Sequence, residues 1–356
     1  HFSLKQISIL HPYLEERSSQ ISEGLYPKQH LWGVESLEKQ KSINSNLIQS
    51  KNSNVPKVLE KVLNRFLFQR STSLELEVAA LRASHKCDLL YSVCGPLGLA
   101  RFHNKNSRLV SWVFRKPEKP PKSKLHPYHI KNLGRHAGFF CLTPKAEKYF
   151  SQFAPSKFIP WGVDLEMFDG KGPRQKADSP FFLASGKTGR DYQTLIEGAG
   201  SVNAELRVIG PISQRPPSLP SNVKWLDTTV DPPDQAIDYP TLREWYAQCV
   251  GVCIPLSGDA DDTCGYTNML EAMAMAKPVL MTLSGCLHLN PADHDFGCSI
   301  ESGNPKEWAN SMRDILENKD RATTLGKNGR KIAEEELSIG KFDRKVVTFL
   351  HEILGK

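Results

Sequence analysis

The stretch Val252–Thr282, VCIPLSGDADDTCGYTNMLEAMAMAKPVLMT, decides the architecture. Val252 to Leu256 is a short apolar run of strand length. A polar loop with Asp259, Asp261 and Asp262 follows. From Thr267 or Asn268 onward, apolar residues recur at helical spacing until Lys277-Pro278, where proline cannot continue the helix. Val279–Thr282 then reads as the next strand. A strand, a helix and a strand in succession form a βαβ unit, and such units build parallel sheets.

The same rhythm extends in both directions. In the first half, strand-sized apolar runs lie at Gln6–Leu10, Cys87–Val93, Arg108–Phe114, Gly138–Thr143 and Lys157–Gly162. In the second half they lie at Phe181–Ser185, Leu206–Gly210, Val223–Leu226, Val250–Leu256, Pro278–Thr282 and Gly297–Ile300. Helical periodicity marks Val58–Leu76, Tyr192–Ala199, Leu242–Gln248, Trp308–Leu316 and a tail, Phe342–Leu354. Two series of alternating strands and helices predict two Rossmann-like domains. Asp169–Pro180 reads as a linker, and Pro211–Pro220 and Asp231–Tyr239 as loops of the second domain.

The bulk numbers agree with this division. The 356 residues suit two domains of ~150 residues each. The chain is 39% hydrophobic and 24% charged, and no apolar run reaches the ~18 residues of a membrane span. The first residue is His1, and the start shows no signal-peptide pattern. Cys87, Cys94, Cys141, Cys249, Cys253, Cys264, Cys286 and Cys298 sit mostly in apolar surroundings. They read as reduced thiols of a cytoplasmic protein, and their spacing forms no zinc site.

The net charge of +7 is unevenly placed. Arg101 to Lys148 holds twelve Lys or Arg, at 101, 105, 108, 115, 116, 119, 122, 124, 131, 135, 145 and 148, against Glu118 and Glu147. Such a run is a solvated face, or a surface for an anionic acceptor or for peripheral membrane contact. No RNA-binding or helix-turn-helix pattern accompanies it, which ranks nucleic acid last.

Ligands of open parallel sheets bind at the carboxyl ends of the strands, often at helix N-termini. Three junctions of this kind stand out. After Phe181–Ala184 come Ser185, Gly186, Lys187, Thr188, Gly189 and Arg190. Two glycines and two cations there suit a diphosphate; the residues equally permit a solvated turn. Before the helix carrying Glu271, the amides of Tyr266, Thr267 and Asn268 are expected to be free for a phosphate. Glu271 can accept from two ribose hydroxyls, or Asn268-x-x-Glu271 can be a capping box. The third junction, Lys157–Phe168, ends in an Asx-type turn at Asp164.

In this order, the segments FIPWGVDLEMF, LASGKTGRDYQTLIEGA and GYTNMLEAMAMAKPVLMT resemble signatures of the retaining glycosyltransferases of family 4, over roughly residues 138–354. The resemblance implies a GT-B fold. Its two Rossmann-like domains, 1–160 for the acceptor and 161–340 for the donor, would face each other across a cleft. A C-terminal helix, 341–356, would return to the first domain.

It implies transfer of a sugar from a UDP-, GDP- or ADP-sugar to the hydroxyl of a sugar, glycolipid or small molecule, with no metal and no other cofactor. Lys187 and Arg190 would neutralise the diphosphate, and Glu271 would hold the ribose. Gly186, Gly265, Tyr266, Thr267, Asn268, Ser284 and Gly285 would complete the donor site. The family carries two glutamates eight positions apart. Here Thr263 stands at the first, with Asp261 and Asp262 close by as substitutes. That departure motivates an alternative, a relative that binds nucleotide sugar with altered or lost transfer.

The acceptor is expected in the first half. One candidate lining is Glu15–Gly33, with Glu23, Gly24, Lys28, His30 and Trp32. The other is the basic stretch with Arg115, Lys116, His126, His129 and His136. A third reading of the whole chain, from another class, is a basic module that binds anionic lipid or nucleic acid.

Overall fold

The strands read from apolar runs are all present in the computed structural model, which describes residues 4–49, 56, 58–59, 61–62, 72–93, 95–115, 126–229, 237–257, 263–284 and 287–355. They form two six-stranded parallel sheets in two compact units. Unit 1 comprises 1–19, 30–161 and 340–356; unit 2 comprises 20–29 and 162–339.

The sheet of unit 1 runs β2 (Ile43–Leu47), β1 (Lys5–Leu10), β3 (Leu89–Ser92), β4 (Arg108–Val113), β5 (Gly138–Cys141), β6 (Ser156–Phe158). Its inner strands β3 and β5 are buried along their length, as expected where helices cover both faces of a parallel sheet. β2 has no counterpart among the apolar runs. Its sequence INSNL exposes alternate residues at the sheet edge, so it carries one polar and one buried side in five residues. The core gathers Tyr91, Trp112, Phe139 and Phe140, all fully buried. Phe342 and Phe349 of the helix Ile339–Gly355 pack on it, stacked 5.5 Å from Trp112 and edge-on 4.9 Å from Phe140.

Unit 2 orders its strands β12 (Gly297–Ile300), β11 (Val279–Thr282), β10 (Gly251–Ile254), β7 (Phe181–Ser185), β8 (Glu205–Gly210), β9 (Val223–Asp227). The order reverses between β7 and β10. The helices start where capping chemistry dictates. Asp191 accepts from the Thr194 amide, Asp238 from Thr241 and Asn304 from Glu307. The capped helices run Tyr192–Ala199, Tyr239–Gln248 and Pro305–Glu317.

Asp169–Pro180 is no free linker. Glu244 accepts from the amides of Arg174 and Gln175, and Arg243 reaches Asp169 at 2.5 Å. These bonds strap the stretch to the helix Tyr239–Gln248, and the chain passes into unit 2 earlier, at Gly162. Composition could not show this, because the partners lie about seventy residues away. Pro211–Pro220 is a loop with one short 3₁₀ turn. Residues 231–236 of the other expected loop, and most of Val58–Leu76, fall outside the described residues. Its last residues, from Leu74, open the helix Leu74–Ala83.

Among the described residues no helix is long and apolar enough to cross a membrane. The described cysteines are all free; Cys87, Cys141, Cys249 and Cys253 are buried, while Cys94 and Cys286 lie outside the described set.

Candidate functional site

The loops after β7 and β10 meet at the reversal point of the unit 2 sheet, where open α/β sheets place their ligands. Ser185 ends β7, and Gly186 follows at φ +122, a conformation that L side chains rarely adopt. A Cβ there would also strike the Arg190 guanidinium. Gly189, at φ +61, passes close to Cys264: an added Cβ would lie 2.8 Å from its sulfur. An isolated bridge pairs Arg190 with Leu256, and the Ser257 amide donates to the Gly189 carbonyl at 2.9 Å. The two loops are thus joined backbone to backbone.

The two cations of this mouth have different settings. Arg190 folds inward, donating to the carbonyls of Ser185 (3.2 Å) and Thr188 (2.8 Å) and to Asn268 Oδ1 (2.6 Å). Lys187 is exposed, and among the described residues only its carbonyl is engaged, by Gln214 Nε2 at 2.6 Å. Asn268 is the hub, for its Nδ2 donates to Ser185 Oγ at 2.6 Å and to the Tyr246 hydroxyl at 3.2 Å.

The helix Tyr266–Ala274 begins one residue earlier than its periodicity indicates. Gly265, at φ +78, occupies its N-cap, and an added Cβ would sit 2.6 Å from Ile254 Cγ2. Only glycine fits both demands. The Tyr266 amide is not free, since it donates to the Thr263 carbonyl at 3.1 Å. The Thr267 and Asn268 amides keep the open position at the helix start that a phosphate could use. Tyr266 itself is buried, edge-on to His288.

Glu271 makes no capping box, because the helix starts too early for Asn268 to be its cap. Its carboxylate is 2% exposed and both oxygens are taken: Oε1 accepts from Gln29 Nε2 at 3.0 Å and Oε2 from the Tyr246 hydroxyl at 2.9 Å. Burial pushes its pKa up to about 7, partly offset by these two hydrogen bonds. Gln29 Oε1 in turn accepts from the Asp164 amide at 2.9 Å. Asp164 forms the expected Asx turn, accepting from Glu166 and Met167 on Oδ1, and also receives the Lys28 amide on Oδ2. Gln29 and Tyr246 were not legible as site residues, since neither carries a charge or a local motif.

Thr263 and Ser284 are half-buried at the ends of these loops. Asp261, Asp262 and Gly285 lie outside the described residues, as does Lys116. Among the expected acceptor residues, Glu23 and Gly24 are exposed in unit 2. Trp32 is a core residue of unit 1 and no open lining: it is 3% exposed, stacked on Trp161 at 4.5 Å, and donates to the Tyr13 hydroxyl. His30 is packed against Trp161 and Tyr13, with its pKa lowered to about 3 chiefly by burial. His136 is also buried, its Nδ1–H donating to the Asn132 carbonyl. Arg115 is exposed and His129 half-buried beside Tyr128, while the His126 side chain is not described. Among the described residues no group of His, Cys, Asp and Glu could hold a metal ion.

Comparison with known proteins places these loops in a context. Residues 191–318 match the family described as glycosyl transferases group 1. No curated protein sequence matches the chain. Sucrose-phosphate synthase from Thermosynechococcus elongatus is similar in structure, with a TM-score of 0.66 at 15% identity over 99% of both chains. A glycosyltransferase from Rickettsia africae reaches 0.65 at 15% identity over 99% of both chains. Anabaena HepE, in complex with UDP and glucose, reaches 0.60 at 15% identity, over 98% of this chain and all of the other. These likenesses show the fold, GT-B with two Rossmann-like domains, and the sequence match to group 1 glycosyl transferases covers residues 191–318.

Proposed function

We propose that this glycosyltransferase domain works on a nucleotide-diphosphate sugar and passes the sugar to an acceptor hydroxyl with retention of configuration, as the family 4 resemblance implies. The observation that carries the reading is the junction at the reversal point of unit 2. There Arg190 locks the β7 loop to Asn268, while Lys187 is exposed beside it and the Thr267 and Asn268 amides stand at the helix start with no partner among the described residues. That is a preorganised setting for a diphosphate. The anomeric carbon–oxygen bond to the β-phosphate breaks and the acceptor oxygen bonds to the same carbon. The acceptor proton passes to the departing phosphate oxygen. Lys187 meets the charge that grows on that oxygen, and Arg190 holds the loop that presents it. With the charge met by side chains, transfer proceeds equally in EDTA.

UDP is the first nucleotide to test, because HepE is seen with UDP and glucose. Thermal-shift measurements with UDP-, GDP-, ADP- and dTDP-sugars identify the donor, since a bound ligand raises the melting temperature with occupancy. NMR of the product then reads the anomeric configuration. An inverted product, or stabilisation by no sugar nucleotide, refutes the proposal.

A second reading is supported by Glu271 and Thr263. Both oxygens of Glu271 are occupied inside the protein, and Thr263 stands where the family carries its other glutamate. A chain that binds sugar nucleotides but neither transfers nor hydrolyses them is a relative with lost chemistry. Turnover with any donor rejects that reading.

A further inference from the structure

The basic stretch of unit 1 has a use that the nucleotide loops do not claim. Three of its cations, Lys105, Arg108 and Arg135, line one pocket of about 540 Å³ together with Asn106, Ser107, Gly134, His136 and Ala137. The pocket lies at the amino ends of β4 and β5, since Arg108 is the first residue of β4 and Ala137 precedes Gly138 of β5. It is therefore at the end of the sheet opposite to the carboxyl-end loops where such folds place substrates.

Its electrostatics are one-signed. Lys105 and Arg108 are exposed, and neither they nor Arg135 pair with a carboxylate among the described residues. Arg135 is fixed by one end: Nη2 donates to the carbonyls of His103 (3.2 Å) and Asn104 (2.7 Å). Its remaining N–H groups make no bond to described residues. Asp88, beside Arg108 in the sheet, turns its carboxylate to the Gln6 amide at 2.7 Å and to Lys5 at 3.9 Å. The negative end of the helix His126–Gly134 is also satisfied here, since the Asn132 and Leu133 carbonyls accept from the Arg135 and His136 amides.

Behind the cations the pocket wall includes His136. His136 is 4% exposed, and its Nδ1–H donates to the Asn132 carbonyl at 2.9 Å. Nε2 then carries the lone pair and has no partner among the described residues. Three cations around one pocket match a phosphate, whose charged oxygens they would meet.

We infer that this pocket is an anion site of unit 1 that takes a phosphate group, borne either by a soluble ligand or by a lipid headgroup. The site stands apart from the reading of the donor loops and survives its failure.

The test uses inorganic pyrophosphate and the full chain. Calorimetric titration is expected to show saturable binding that weakens with salt, as exposed cations require. The K105Q/R108Q variant is expected to bind at least ~10-fold more weakly, the loss of two charge-assisted contacts. Both positions are exposed, so this variant keeps the melting temperature of the parent. K148Q, an exposed cation on another helix of unit 1, keeps full affinity. K187Q separates the pocket from the donor loop. Binding that is lost in K187Q and kept in K105Q/R108Q overturns the inference, as does equal affinity in K105Q/R108Q and parent.

Vesicles distinguish the source of the phosphate. Co-sedimentation with phosphatidylcholine vesicles containing phosphatidic acid, lost in K105Q/R108Q and reversed by pyrophosphate, points to a headgroup. Pyrophosphate binding without co-sedimentation points to a soluble ligand. Failure to bind either probe refutes the site.

Discussion

Units 1 and 2 share a plan of six parallel strands with a reversal beside the first, yet the groups whose titration burial moves furthest differ in kind. In unit 1 burial acts most clearly on four imidazoles, which it keeps neutral. His11, His103 and His136 are pushed down to about 4 and His30 to about 3, each chiefly by desolvation. In unit 2 the central buried group is a carboxyl, Glu271, pushed up to about 7 by the same cause. One mechanism, loss of water, moves bases down and acids up. Acidity should therefore act on the two units in opposite directions.

The largest expected effect breaks or sharpens that contrast directly. A histidine depressed in the folded state adds stability that is complete above pH 6.5 and is lost as pH falls toward 4. A carboxyl raised in the folded state adds stability that is complete below pH 4.5 and is lost as pH rises toward 7. Lowering the pH from 7 to 4.5 should loosen unit 1 and tighten unit 2. Asp343 of unit 1, raised by burial, opposes the histidines there. The Glu271 contribution is on the order of 3 kcal/mol. Hydrogen exchange, corrected for intrinsic pH dependence and resolved by peptide, measures both units at once. Movement of both units in the same direction ends the comparison. Glu271→Gln should flatten the unit 2 response and leave unit 1 as it was.

Next in size is the division of labour between two cations. Lys187→Gln should lower kcat by ~10²-fold, as for loss of a preorganised charge stabiliser, with an unchanged melting temperature. Arg190→Gln should lower both, because it also removes the bonds to Ser185, Thr188 and Asn268. Equal melting temperatures in the two variants would erase the distinction drawn between them.

Smaller still is Gly265→Ala. It places a methyl against Ile254 at φ +78 and should cost about 2 kcal/mol in denaturant unfolding, with exchange rising in unit 2 alone. Last comes Ser36→Ala in unit 1. It removes a 2.6 Å hydrogen bond to Asp343 and should cost about 1 kcal/mol, with exchange rising near the helix Ile339–Gly355.

The sheets were legible because central parallel strands are nearly continuous apolar runs: GFFC, FFLAS and VLMT announce themselves. The edge strand INSNL did not, because half of it faces water. The glycine turns of the loops after β7 and β10 were legible for a similar local reason, as a chain that must reach positive φ writes glycine there. The setting of Glu271 was not. Its partner Gln29 lies 242 positions away, and a hydrogen bond at that separation leaves no periodicity behind. Trp32 misled in the other direction. An aromatic among charged neighbours reads as a sugar platform, and the rings that bury it, Trp112 and Trp161, come from distant strands and loops.

The placement of Gln20–Gln29 in unit 2 bears on how such genes can be shuffled. The chain changes units after residues 19, 29, 161 and 339. A recombination event with a single joint near Trp161 would bring a foreign second half its carboxyl at Glu271 but not its own Gln29. Such a chimaera would inherit a buried acid with one partner from the wrong parent. Inheritance of unit 2 as a working module thus needs the short early segment as well, and residues 29 and 271 should be exchanged together or not at all.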